Sequence, residues 1–217
     1  MEIIDTYFEG TQSYKYSIIA HYRLWRSHLY KWPAYIANKN TQNKHIDKWS
    51  EYVVSCCKNK ETIAYASGGL FFKDFLPDVT VVEHYPCPID IPGIIYLLAD
   101  ENLDNELEDR FDCMITINSQ PLKYHGDIHN FLVKPGTSRA GFKPNISKWI
   151  KKDGEIFLSF SDWHMYYDRL KLTPEQFVDQ QISKLDDHGF ECIYKDVSKS
   201  TSDVVNGNVK LILKKKF

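Results

Sequence analysis

Two kinds of apolar spacing divide the chain near residue 60. Ahead of that point Ile18, Tyr22, Trp25 and Leu29 recur at steps of four, three and four, which lines one face of a helix. Trp32-Pro33 interrupts this pattern, because proline disfavours helix at the residue before it. Ile46, Trp49, Val53 and Cys56 step by three, four and three and predict a second amphipathic helix. Beyond residue 61 the apolar runs shorten and end at small or acidic residues. They predict strands over Thr62–Ala66, Val79–Glu83, Ile94–Ala99, Cys113–Asn118, Glu155–Ser161, Phe190–Val197 and Asn208–Leu213. Short helices are expected over Leu70–Leu76 and Leu103–Asp109, with another ending at an Asp153-Gly154 turn. Thr173-Pro174-Glu175-Gln176 has the form of a capping box with proline at the first helical position. Its helix should close at Gly189, where glycine can take the left-handed conformation. About seven strands alternating with helices argue an α/β layered domain over 61–217, the first five strands parallel, preceded by a helical cap or lid over 1–60.

Composition excludes several classes. Of the 217 residues, 43% are hydrophobic and 14% aromatic, enough bulk to build a core, so disorder is not expected. The longest run without Asp, Glu, Lys or Arg is Thr62–Phe72, far short of the roughly 18 residues a membrane helix needs. No secretory signal is visible at Met1. The five cysteines match no zinc spacing and read as free thiols of a cytoplasmic protein, with no metal expected. Net charge is only −2, yet the charges are segregated. Residues 11–60 hold nine Lys/Arg against two acids, residues 78–112 ten acids against Arg110 alone, and residues 121–152 seven Lys/Arg against Asp127. Lys214-Lys215-Lys216 reads as a solvated basic tail.

Open α/β sheets bind ligands at the carboxyl ends of their strands. The positions of interest are therefore Ala66-Ser67-Gly68-Gly69, Glu83-His84, Asp100-Glu101, Asn118-Ser119 and Asp162-Trp163-His164. Glycines after the first strand allow a ligand close to the backbone. An ionised carboxylate such as Glu83 offers only acceptors and suits the two hydroxyls of a ribose. Asp100 could accept an adenine amino hydrogen.

A small-residue turn, an acid after strand two, an acid after strand three and polar residues after strand four resemble the class I S-adenosylmethionine-dependent methyltransferases. Ile150–Leu158 is similar to that family's turn before its fifth strand, and the resemblance covers roughly residues 60–217. It implies a Rossmann-like three-layer sandwich of about seven mostly parallel strands, the last antiparallel. It also implies S-adenosylmethionine as cofactor, held by Ala66, Ser67, Gly68, Gly69, Glu83, His84, Asp100, Glu101, Asn118 and Ser119. The first motif, Tyr65–Gly69, lacks the acid the family carries there. Methyl transfer needs an acceptor held in place and a base for its proton. His125 and His164 are the candidate bases, and Tyr124, His129, Lys134, Arg139, Trp163 and Tyr166 the candidate acceptor contacts. The loop over 134–139 reads as long and flexible. In the implied fold the two basic segments border the acceptor, which favours a small molecule bearing phosphate or carboxylate, with nucleic acid as the alternative. A nicotinamide-binding domain expects G-x-G-x-x-G, which Ser67–Phe72 does not supply. A non-catalytic ligand-binding domain remains open.

Overall fold

The computed structural model describes residues 48–65, 72, 75–83, 95–98, 103–116, 128–134, 136–138, 141–143, 145–160, 171–198 and 209–217. The helix expected over Ile18–Leu29 lies outside them, as do most of the candidate site residues. The elements in chain order are α1 (Lys48–Cys57), β1 (Thr62–Tyr65), β2 (Thr80–Glu83), β3 (Ile95–Leu98), α2 (Leu103–Glu106) and β4 (Phe111–Thr116). There follow α3 (Ile128–Val133), β5 (Gly136–Ser138), β6 (Gly141–Lys143), a 3-10 turn (Ile146–Trp149), β7 (Ile150–Phe160), α4 (Pro174–Asp186), β8 (Phe190–Val197) and β9 (Val209–Lys215).

Seven strands form one sheet in the order β3-β2-β1-β4-β7-β9-β8. β1, β2, β3, β4 and β7 run parallel, whereas β9 is antiparallel to both β7 and β8. The expected α/β architecture, with five parallel strands and a reversed last strand, is therefore present.

Period-two alternation sends the two faces of each strand to different cores. Ile63, Tyr65, Met114, Ile156 and Leu158 pack with Phe131 and Leu132 of α3, Trp149, and Phe177, Val178 and Leu185 of α4. Ala64, Val81, Cys113, Ile115 and Phe157 face the other way, onto Trp49, Val53 and Cys57 of α1 with Phe72 and Leu76. Both faces are covered, which is why β1 has four consecutive buried residues. Helix α1 is thus part of the outer layer of the sheet. Its inward residue is Cys57, one position after the Cys56 that the spacing selects.

The cap of α4 forms as the sequence predicts. The Gln176 backbone N–H donates to Thr173 Oγ1 at 3.2 Å, and Thr173 N–H donates to Gln176 Oε1 at 2.9 Å. Gly189 closes the segment with φ of +81°. We expect Thr173→Ala to destabilise the fold by about 1 kcal/mol, the usual value of such a cap, read as a shift in the urea midpoint at constant slope. An unchanged midpoint would show that α4 is held by packing alone.

Three local expectations are corrected. No helix ends at Asp153-Gly154: these residues lie inside β7, an 11-residue strand preceded only by the 3-10 turn. β4 and β7 pair Phe111 with Ile150 but Cys113 with Glu155, so β7 carries extra residues in a bulge there. Asp153 takes φ of +63° within it. A Cβ on Gly154 would stand 2.9 Å from the Lys151 carbonyl and 3.0 Å from that of Asp112, so the backbone passes only because glycine has none. The segment after Lys134 contains a short antiparallel hairpin, β5–β6, where a flexible loop is expected, because Gly136 and Gly141 bracket residues that can pair. Finally, Lys214 and Lys215 are the end of β9, not a solvated tail. Lys214 pairs with Asp153 at 3.1 Å, Lys215 with Asp109 at 3.0 Å and Lys216 with Asp186 at 2.6 Å. Lys215 also donates to the Ile150 carbonyl at 2.6 Å, since the strand carries its stem along the sheet edge.

Candidate functional site

The strand order runs outward from β1 to β2 and β3 on one side, and from β4 to β7 on the other. Neighbouring connections therefore leave in opposite directions between β1 and β4, opening a crevice beyond their carboxyl ends. Tyr65 ends β1, Glu83 ends β2, Leu98 ends β3, Thr116 ends β4 and Phe160 ends β7. Tyr65 is paired with Val82, so Glu83 stands one position further, level with the residue that follows β1. The remaining cofactor candidates, Ala66, Ser67, Gly68, Gly69, His84, Asp100, Glu101, Asn118 and Ser119, lie just after these strand ends and outside the described residues. The same holds for Tyr124, His125, Arg139, Trp163, His164 and Tyr166.

Thr116 is the polar side chain that sequence reasoning missed. It is 1% exposed at the last position of β4, and among the described residues its Oγ1 has no hydrogen-bond partner. A buried hydroxyl left unpaired costs about 1–3 kcal/mol. Its signal was available, as one hydroxyl within the apolar run Cys113–Ile117, but the expected strand extended two residues further and drew attention to Asn118.

His129 and Lys134 are placed elsewhere. His129 lies in the first turn of α3, 9% exposed, with its ring 4.5 Å from that of His188. Its backbone N–H donates to Gln181 Oε1 of α4 at 3.4 Å. His188 precedes β8, which runs parallel to β7, so it belongs to the amino edge, opposite the crevice. Lys134 is exposed directly after α3.

Much of the charge segregation resolves at that same amino edge. Lys151 bridges Asp112 and Glu61, each at 3.0 Å, and Lys60 meets Glu155 at 3.3 Å. Asp104 accepts from the Asn145 N–H at 3.0 Å and from Trp149 Nε1 at 3.1 Å. Burial pushes the Asp112 carboxyl up, but hydrogen bonds from Lys151 and the Glu61 N–H outweigh it and hold it below the usual carboxylate range. Asp109 and Asp112 therefore neutralise bases of later segments, and Asp104 takes neutral donors of the turn before β7, because β4, β7 and β9 bring those segments together. Among the described residues no group of three or more His, Cys, Asp or Glu could hold a metal ion. No described helix is long and apolar enough to cross a membrane.

No family model matches the chain, and no curated protein matches it. Similar solved structures include a Streptococcus mutans protein assigned to the SAM-dependent methyltransferases, at 13% identity and TM-score 0.48 over 76% of this chain. The chain spans less than half of that protein, 47% of its length. The Methanococcus jannaschii fibrillarin pre-rRNA processing protein is similar at 14% identity and TM-score 0.47, over 77% of this chain and 74% of that one. The PH0226 protein of Pyrococcus horikoshii OT3 is similar at 13% identity and TM-score 0.47, over 85% and 99%. By its own strand order and its antiparallel β9, the chain is a Rossmann-like α/β protein of the arrangement that the methyltransferase resemblance implies.

Proposed function

We propose that the chain binds S-adenosylmethionine across the carboxyl ends of β1 to β4 and transfers its methyl group to a small anionic acceptor. The observation that carries this reading is the unpaired, buried Thr116 hydroxyl at the crevice between β1 and β4. A ligand with polar groups there would satisfy it and recover the cost of its burial. Ala66, Ser67, Gly68 and Gly69 follow β1 and would bring the backbone against the methionine part. Glu83 and His84 would hold the ribose, Asp100 and Glu101 the adenine, and Asn118 and Ser119 the region near the sulfonium. The cofactor supplies a methyl group already activated on a sulfonium. The protein's own task is to align the acceptor and receive its proton, for which His125 and His164 are the assigned bases. Tyr124, Arg139, Trp163 and Tyr166 are assigned to the acceptor and, of the lid expected over 1–60, the part ahead of α1 is assigned to cover it.

Isothermal titration with S-adenosylhomocysteine tests the cofactor site. We expect a saturable heat, and its absence at millimolar ligand would overturn the proposal in favour of a non-catalytic binding domain. Thr116→Val makes the test specific. It should stabilise the free protein by about 1 kcal/mol, by removing an unpaired buried group, and weaken ligand binding by about 0.5–1.5 kcal/mol. If stability rose and affinity did not fall, Thr116 would face something other than the ligand. The acceptor is separated by salt. A polynucleotide contacting many phosphates loses orders of magnitude in affinity between about 50 and 200 mM salt, and a small dianion far less.

A further inference from the structure

A cleft of about 480 Å³ opens at the amino edge of the sheet, on the side opposite the proposed cofactor crevice. Thr62, Thr80 and Phe111, the first residues of β1, β2 and β4, line it. So do the turn after α1 and the turn that Val79 N–H closes on the Leu76 carbonyl. Its floor is apolar and closed, because Leu76, Val79 and Phe111 are all buried. Its rim carries Lys58, Lys60 and Arg110 against Glu61 and Asp78. The ion pairs of this edge decide which of those charges stay uncompensated. Glu155 takes Lys60 at 3.3 Å, and Lys151 takes Glu61 at 3.0 Å. The acids nearest Arg110 in the chain are also taken, Asp109 by Lys215 and Asp112 by Lys151, each at 3.0 Å. Among the described residues neither Lys58 nor Arg110 has an ion pair, and Asp78 is the rim acid left to oppose them. Lys58 follows the carbonyl end of α1, which by itself favours a cation there. Arg110 comes from a different segment, just ahead of β4. Its guanidinium carbon lies 5.5 Å from the centroid of the Phe111 ring, which supports the planar group and leaves its N–H fork for another partner.

We propose that this cleft binds a small organic anion, an apolar or aromatic body carrying one carboxylate or phosphate group. The anionic group meets the Arg110 fork as a bidentate pair, and Lys58 adds charge beside it. The body lies on the floor formed by Leu76, Val79 and Phe111. This ligand class follows from a cationic rim over a closed apolar floor. A cation would be repelled by Arg110 and Lys58, and a bare inorganic anion would make no use of the floor. The volume falls within the roughly 300–1,000 Å³ typical of small-molecule sites. β1 runs from Thr62 on this edge to Tyr65 at the crevice, so the two sites are separate and this one does not depend on the cofactor reading.

The test follows amide NMR signals of the isotope-labelled, full-length chain during titration with phenyl phosphate, benzoate, inorganic phosphate and benzyl alcohol. Phenyl phosphate or benzoate is expected to saturate at millimolar concentration and to shift the signals of residues 58–62, 78–80 and 110–111. Whichever of the two binds tighter identifies the head group. Inorganic phosphate has no body for the floor and benzyl alcohol has no charge, so each should bind at least about tenfold more weakly. Arg110→Gln should weaken the aromatic anion by about tenfold or more, and Lys58→Gln by about two- to fivefold. Lys184→Gln, on α4 and outside the cleft, should leave the affinity unchanged. All three side chains are exposed, and a melting curve checks that each variant is folded. No saturable binding of either aromatic anion, shifts confined to other parts of the chain, or equal affinity for inorganic phosphate would each overturn the proposal. So would an Arg110→Gln protein that binds like the wild type.

Discussion

Trp149→Ala is expected to cost the fold about 3–5 kcal/mol, the range for deleting a fully buried large aromatic. Trp149 is 0% exposed at the end of the 3-10 turn that leads into β7. Its ring meets Tyr65 edge-on at 5.8 Å between centroids, and Tyr65 in turn contacts Phe131 of α3 at 5.8 Å. Its Nε1 donates to Asp104 Oδ1 at 3.1 Å, so the alanine also leaves that carboxylate one donor short. Loss of the cavity volume, of an aromatic pair worth about 0.5–1.5 kcal/mol and of a charge-assisted hydrogen bond act in the same direction. Denaturant unfolding measures the sum. Trp149→Phe should lose less, because it keeps much of the packing and removes mainly the Asp104 bond. A loss below about 1 kcal/mol for alanine would mean that the core over β1 and β4 does not depend on this ring.

The second large effect is on binding. Glu83→Ala should weaken S-adenosylhomocysteine by about 1.5–3 kcal/mol, roughly 10- to 150-fold, the scale of hydrogen bonds to a charged group. Glu83 is the last residue of β2, directly beside β1 and paired in register with Leu98 of β3, at the level where a ligand across the crevice would lie. Glu83→Gln keeps one acceptor and should fall between wild type and alanine. Titration calorimetry gives both values, and a melting curve checks that the fold is intact. Equal affinities for all three proteins would remove Glu83 from the ribose and leave the site to be sought along another strand end.

Most of the layered architecture was legible because burial on both sides of a parallel sheet writes short apolar runs into the chain, and such runs need no knowledge of their partners. The α4 cap was legible for a related reason: every bond in it is made within four residues. The interior of β7 was not. Asp153-Gly154 has the local chemistry of a turn, and only pairing with β4 and the contact with Asp112 turn it into a bulge. Lys214 and Lys215 looked like solvated charges until β9 carried them to carboxylates 3.0–3.1 Å away. Thr116 was hidden by its apolar neighbours. By itself the sequence determined the seven strands of the main sheet, where α4 begins and that an acid ends β2, since periodicity and capping act over a few residues. Tertiary structure alone decided which hydroxyl is left unpaired at the crevice, which acids are already neutralised, and that Cys57 and Cys113 share one core cluster. Each of those depends on strand register between residues 39 to 59 positions apart, and local propensity carries no information about register.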